Sequence, residues 1–178
     1  MSINSKTFFN FDPSRVPSPC FVVDEVAVEN NLKILNRVQQ ESGAKVLLAL
    51  KAFSMFSLAP LITKYLSGTC SSGLHEALLA YEEFGGNKKG AKNTSEEHKE
   101  MHVFSAAFTE PDLKELLTFS DHIVFNSFNQ WQRFQPLITQ AKSDRLKKGE
   151  VIDFGLRINP MHSEGAAEIY DPCAAGSR

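Results

Sequence analysis

The chain has 178 residues and a formal net charge of −2, and 42% of its residues are hydrophobic, which is enough to bury a substantial core. The balanced charge gives no electrostatic basis for binding nucleic acid or an anionic membrane, and no apolar run approaches the ~20 residues of a membrane span. The N-terminus lacks the order of a signal peptide, and Cys20, Cys70 and Cys173 lack the spacing of a metal or disulfide framework, so we predict a soluble, reduced, cytoplasmic protein without a metal site.

Short apolar runs alternate with amphipathic stretches along most of the chain. Strands are predicted at 21–24, 48–51, 69–72, 101–108, 122–125 and 152–158. Helices are predicted at 25–40, 57–66, 74–84, 110–119 and 129–142. Strands separated by helices of this length are typical of βαβ units, so the pattern predicts an α/β fold with a parallel sheet.

Glycines and polar runs define the expected ends of these elements. Gly43 and Gly68 are predicted to end helices, and Thr109 is predicted to cap the helix that follows it. Residues 87–99 are polar and without periodicity, which predicts a flexible surface insertion, and 145–149 is predicted to be a basic turn. The first helix is expected to bury one apolar face, formed by Val28, Leu32, Leu35 and Val38.

Two sheet architectures fit this alternation. A doubly wound open sheet normally carries a glycine-rich turn after its first strand, and neither GxGxxG nor GxxxxGK[ST] occurs in the chain. A closed (β/α) barrel is therefore favoured, although a complete one needs about 250 residues. We predict that 1–178 is the N-terminal portion of a TIM (β/α)8 barrel, and that it belongs to a longer protein that is cleaved or truncated after Arg178.

The chemically most informative residue is Lys51, which follows the apolar run Val46–Leu50. Burying an unpaired ammonium costs several kcal/mol, roughly, unless the amine is neutral or covalently bound, as in a Schiff base with an aldehyde cofactor. A strand-end lysine that extends its charge into solvent is the alternative. From these residues alone the two interpretations are equally supported.

Several segments together resemble one family. Segments 17–24 (PSPCFVVD) and 48–53 (LALKAF) resemble the opening strand and the cofactor-lysine strand of fold-type III pyridoxal-phosphate decarboxylases. Within that superfamily the greatest similarity is to carboxynorspermidine decarboxylases, at 71–76 (SSGLHE), 82–86 (EEFGG), 102–105 (HVFS), 123–127 (IVFNS), 156–160 (LRINP) and 171–178 (DPCAAGSR). The resemblance runs from Pro17 to Arg178, interrupted only by the polar insertion.

The resemblance implies a function and a set of site residues. Lys51 would hold pyridoxal 5'-phosphate at the C-terminal end of the first barrel strand, and Arg157 would point toward the cofactor. The substrate would be carboxynorspermidine or carboxyspermidine, and the product norspermidine or spermidine. The resemblance also implies a homodimer with shared active sites, and a C-terminal β domain that this chain lacks.

Other polar residues near strand ends receive weaker assignments. A structural ion pair is an equally supported role for Arg157. His75 and Glu76 open a helix at the same end of the barrel, where Glu76 would favour the helix N-terminus. Asn126 and Ser127 are expected to cap the next helix, and His102 begins a strand, so we assign it no chemistry.

Other functions remain open from the sequence. Relatives that decarboxylate basic amino acids carry an acid near 69–70, and its absence here disfavours an ornithine or arginine decarboxylase. Diaminopimelate decarboxylation, amino-acid racemisation and a non-enzymatic regulatory role on the same scaffold stay as alternatives. The retained Lys51 disfavours the last of these, and the chain alone is expected to be inactive.

Overall fold

The fold is described from a computed structural model, which covers residues 11–88, 97–164, 171, 173 and 174. The five strands are β1 (Leu47–Ala49), β2 (Gly68–Ser71), β3 (Glu100–Ser105), β4 (His122–Phe125) and β5 (Asp153–Leu156). The five α-helices of this part of the chain are α1 (Glu25–Ser42), α2 (Ala59–Ile62), α3 (Leu74–Glu83), α4 (Glu110–Phe119) and α5 (Phe128–Lys147). Short 3-10 turns occupy Pro13–Arg15, Phe56–Leu58 and Gly86–Lys88.

The strands form one parallel sheet in the order β1-β2-β3-β4-β5. Each strand pairs with the next one in the sequence, and helices intervene between them, which confirms the predicted α/β class with a parallel sheet. None of the helices in the described ranges is both long and apolar enough to cross a membrane.

The two faces of the sheet differ in chemistry. On one face Met101, Val103, Ile123 and Phe125 are buried with apolar residues of the helices, in two clusters that form the core. Alternate residues point to the other face, which we call the open face. It carries mostly half-buried residues, namely Cys70, Glu100, His102, Phe104, His122, Val124, Asp153 and Gly155.

Helix ends follow the predicted capping chemistry at several positions. Asp24 caps α1 by accepting a hydrogen bond from the Ala27 N–H at 3.0 Å, and Gly43 ends it in the left-handed conformation (φ 72°). Thr109 caps α4 as expected. The predicted bounds of α4 and β4 agree with the structure residue for residue.

Gln39 ties α1 to the sheet. Its Oε1 accepts hydrogen bonds from the Val46 N–H and the Ser67 hydroxyl, both at 2.7 Å, and its Nε2 donates to the Tyr65 carbonyl at 2.8 Å. The predicted apolar face of this helix is wrong in part. Leu32 is buried, but Leu35 and Val38 are exposed, because the polar Gln39 takes the contact with the sheet.

The predicted strand at 21–24 is wrong. This segment is irregular, and Phe21 is 98% exposed. A strand needs a neighbour to satisfy its backbone hydrogen bonds, and no described strand pairs with it. The segment instead supplies Val23 to the core and Asp24 to the cap of α1.

Three further expectations are corrected. Gly68 does not end a helix but begins β2, where a Cβ atom would overlap the Glu100 carbonyl oxygen. The helix predicted at 57–66 consists of a 3-10 turn, the four-residue α2 and further turns. The basic turn predicted at 145–149 begins later, because α5 continues to Lys147 and Arg145 is buried within it.

The predicted insertion at 87–99 falls largely outside the described residues, since 89–96 are not among them.

Candidate active site

Lys51 lies in a turn that follows β1. The backbone reverses there, with the N–H groups of Ala52 and Phe53 donating to the Ala49 carbonyl at 3.0 and 3.2 Å. Leu50 occupies the buried position at the end of the strand, and its N–H donates to the Cys70 carbonyl at 3.1 Å. Lys51 itself is exposed, in agreement with the second of the two interpretations, a strand-end lysine that extends its charge into solvent. The buried position at the end of the apolar run is filled by Leu50 and not by Lys51.

The surroundings of Lys51 include a thiol and a carboxylate. Cys70 pairs with Ala49 across the sheet and lies within electrostatic range of Lys51 and Glu76. Burial raises the pKa of the Cys70 thiol; the positive charge of Lys51 opposes that shift, and Glu76 adds to it. Within the part of the chain that the structure describes, the Lys51 amine has no ion pair or hydrogen bond, which leaves it available to an aldehyde.

Glu76 stabilises the start of α3, as predicted from the sequence. Its Oε2 accepts a hydrogen bond at 2.7 Å from the N–H of Ser72, just before α3. His75 is exposed on the same turn of the helix. The carboxylate therefore stabilises the N-terminus of α3, and it also contributes negative charge near Cys70.

Arg157 directly follows β5 and is half-buried. Its N–H extends the strand by donating to the Phe125 carbonyl at 2.9 Å. Its guanidinium donates from Nη1 to the Asn126 side-chain oxygen at 3.4 Å. Among the described residues, the side-chain partner of Arg157 is thus a neutral amide and not an acid.

Asn126 and Ser127 have separate roles. Ser127 caps α5, as predicted, by accepting from the Gln130 N–H at 3.2 Å. Asn126 contacts Arg157, and its own N–H donates to Gln130 Oε1 at 2.9 Å. Sequence analysis missed this contact because it depends on the pairing of Phe125 with Leu156, which brings the next residues of the two strands together.

The structure places Lys51 and Arg157 at the same edge of the sheet but does not bring them together. Both follow the C-terminal ends of their strands, and these ends share an edge in a parallel sheet. β1 and β5 are four strand spacings apart, or about 19 Å at ~4.8 Å each if the sheet were flat. Lys51 groups with Cys70 and Glu76, and Arg157 with Asn126.

His102 lies away from this edge. It is the third residue of β3, and it stacks on His122, the first residue of β4, at a ring separation of 4.0 Å. Its Nε2 is 3.1 Å from Glu100 Oε2. Sequence analysis did not predict this grouping, because it depends on the strand register.

Comparisons with known proteins support the family resemblance. No family model matches the chain. Among curated proteins, it is 38% identical over 165 residues to the carboxyaminopropylagmatine decarboxylase of Synechocystis sp.. It is 34% and 35% identical to the carboxynorspermidine/carboxyspermidine decarboxylases of Herminiimonas arsenicoxydans and Campylobacter jejuni. The resemblance to carboxynorspermidine decarboxylases is confirmed.

The matches cover nearly all of this chain but only part of each relative. They span 92–93% of the chain and 37–38% of the relatives' lengths. The crystal structure of carboxynorspermidine decarboxylase complexed with norspermidine, from Campylobacter jejuni, is 34% identical and matches with a TM-score of 0.67. That match covers 85% of this chain and 34% of the solved one. The chain therefore spans roughly a third of the length of the relatives that it matches.

Proposed function

We propose that this chain is part of a pyridoxal 5'-phosphate-dependent decarboxylase of carboxylated polyamines. The observation that carries the proposal is the position of Lys51 at the C-terminal edge of the sheet, where its amine has no partner among the described residues. The chain is also 34–38% identical, over most of its length, to the three named decarboxylases. Active sites of parallel β/α barrels lie at this edge. The five-strand sheet would be the first part of a (β/α)8 barrel. The whole enzyme would be a cytoplasmic homodimer.

The residues at this edge fit the cofactor. The amine of Lys51 can form a covalent bond with an aldehyde. Arg157, oriented by Asn126, would reach the ring substituents of the same cofactor only if closure of the barrel brings β5 closer to β1 than the ~19 Å of a flat sheet. When bound, the cofactor supplies an electron sink for the bond to the departing carboxylate. Lys51 would then be positioned to move a proton near the reacting carbon. Cys70 lines the surface beside the amine.

The substrate is proposed from the relatives. Two are named for carboxynorspermidine and carboxyspermidine, which end in amines, and the Synechocystis protein for carboxyaminopropylagmatine, which carries a guanidinium. That name makes carboxyaminopropylagmatine a second candidate substrate. The ratio of kcat/KM for the two substrate types, measured on the full-length protein, decides between them. None of these three relatives is named as a diaminopimelate decarboxylase or a racemase.

The test is to trap the cofactor on the full-length protein that contains this chain. Borohydride reduction followed by peptide mass mapping is expected to place a pyridoxyl group on Lys51. Lys51→Ala is expected to abolish the adduct and to lower kcat by about 10²-fold or more. Lys64→Ala, which removes another exposed lysine, serves as the matched control and is expected to leave both unchanged. A pyridoxyl group on a different lysine, or full activity in Lys51→Ala, would overturn the proposal.

A further inference from the structure

Glu100, His102 and His122 form a compact group on the open face of the sheet. His102 and His122 are directly paired across β3 and β4, and their rings stack at 4.0 Å with 23° between the planes. Glu100 Oε2 lies 3.1 Å from His102 Nε2 and 3.8 Å from His122 Nε2. One carboxylate oxygen thus faces a ring nitrogen of each histidine.

We propose that these three side chains bind a divalent transition-metal ion such as Zn²⁺. One ligand atom from each residue lies within 4.8 Å of the other two. Bonds of about 2.0–2.1 Å in tetrahedral geometry place neighbouring ligand atoms roughly 3.3 Å apart, so 3.1 and 3.8 Å need only small adjustments. A water molecule would complete the coordination.

Hydrogen bonding alone leaves this arrangement unexplained. His102 can hydrogen-bond to Glu100 Oε2, but at 3.8 Å the Nε2 of His122 is too far to do so. The Nε2 atom of His122 nevertheless faces Oε2 of Glu100. An ion between the three groups accounts for both histidines.

Two neighbouring charged residues flank the ligands. Asp153 Oδ2 lies 3.9 Å from Nδ1 of His122, on the side of the ring away from Glu100, which is beyond hydrogen-bond distance but within reach of electrostatic attraction. Lys45 pairs with the other carboxylate oxygen of Glu100, Oε1, and so leaves Oε2 facing the histidines. The charge of Lys45 also reduces the attraction for a cation, so we expect moderate affinity.

Imidazole and carboxylate ligands indicate the class of metal. This set suits Zn²⁺, Co²⁺, Ni²⁺ or Cu²⁺ and is poor for Mg²⁺ or Ca²⁺, which prefer oxygen ligands. His122 and Asp153 begin their strands, whereas Arg157 follows the end of β5. The metal site would therefore be separate from the cofactor edge, and its role would be to hold β3, β4 and β5 together.

The test is titration of the metal-free full-length protein that contains this chain with Co²⁺, followed by visible absorption and by the melting temperature. We expect one ion per chain, a spectrum typical of nitrogen and oxygen ligands, and a higher melting temperature. His122→Gln and Glu100→Gln, which keep side-chain size, are each expected to weaken binding at least 10-fold. His162→Ala removes a histidine that is 75% exposed and is expected to bind as the unaltered chain does.

Three results would overturn the proposal: no stoichiometric binding, unchanged affinity in His122→Gln, or thiolate charge-transfer bands that would assign the ion to cysteine. Circular dichroism of each variant separates lost ligation from lost folding. If a variant fails to fold, X-ray absorption of the unaltered chain decides, since two histidine nitrogens must then be seen at the metal.

Discussion

The positive charge of the Lys51 amine influences the pKa of the Cys70 thiol. Cys70 is half-buried on the open face, and burial is the largest cause of its raised thiol pKa. The positive charge of Lys51 acts in the opposite direction, since it favours the thiolate. Because only the thiolate reacts with alkylating agents, the reactivity of Cys70 measures this charge directly.

We predict that iodoacetamide at neutral pH alkylates Cys70 more slowly in Lys51→Met than in the unaltered protein. Loss of the positive charge removes the only opposing influence on the thiol pKa, so a smaller fraction is thiolate at a given pH. The rate profile against pH should move to higher pH. Peptide mass mapping over time measures the rate for each cysteine separately.

Lys64→Met is the matched control for that experiment, since the same substitution removes the charge of another exposed lysine. Equal slowing in both variants would show that the charge acts through the whole molecule rather than through proximity of Lys51. Cys20 is exposed and provides an internal reference in the same sample.

At the scale of elements, Gly68 sets how closely β2 approaches β3. Gly68 pairs with Glu100, and a Cβ atom there would overlap the Glu100 carbonyl oxygen. Backbone atoms cannot move aside as the end of a flexible side chain can. The absence of a side chain at Gly68 therefore permits the close pairing of β2 with β3 at Glu100.

We predict that Gly68→Ala lowers the free energy of unfolding by about 3 kcal/mol. Gly73→Ala is the control, because an added Cβ there meets nothing within 4 Å. It should change the free energy of unfolding by less than about 1 kcal/mol. Urea denaturation measures both, and equal effects would contradict the close-approach argument.

Elements with local signals could be predicted from the sequence. Thr109 and Pro111 specify the start of α4, and Gly43 specifies the end of α1. The segment at 21–24 has the apolar residues of a strand, but pairing depends on a neighbour that local sequence does not reveal. Arg145 looks like a surface residue because its partners are distant in the sequence.

The same distinction between local sequence signals and strand pairing applies to the candidate site. Lys51 and Arg157 can be proposed as site residues from the sequence because they follow apolar runs and lie in segments that resemble the family. The Asn126–Arg157 contact and the His102–His122 pair follow from strand register, which no single segment encodes. The burial of Leu50 in place of Lys51 depends on how β1 turns after Ala49.

For the whole molecule, Arg145 connects parts that are distant in the chain. Its side chain is only 4% exposed; Nη1 donates to the carbonyls of Leu117 and Ser120 at 3.3 and 3.0 Å, and Nε lies 2.7 Å from Glu150 Oε2. It thereby joins α5 to the end of α4 and to the segment before β5. These contacts satisfy carbonyls at a helix end that would otherwise be buried without partners.

We predict that Arg145→Met lowers the free energy of unfolding by about 3 kcal/mol, since it removes a buried cation while leaving its partners unpaired. Lys147→Met, two residues away on the same helix and 70% exposed, should change it by less than about 0.5 kcal/mol. Thermal and urea denaturation of the two variants measure the difference. Similar values would mean that the Arg145 contacts contribute little.

The sequential strand order also bears on synthesis. Every strand of the described sheet pairs only with its neighbours in the sequence, so no strand must wait for a distant partner. As the chain leaves the ribosome, β2 can add to β1, β3 to β2, and so on, each bringing the helix that follows it. The sheet can grow at one edge in the order of translation, from β1 to β5.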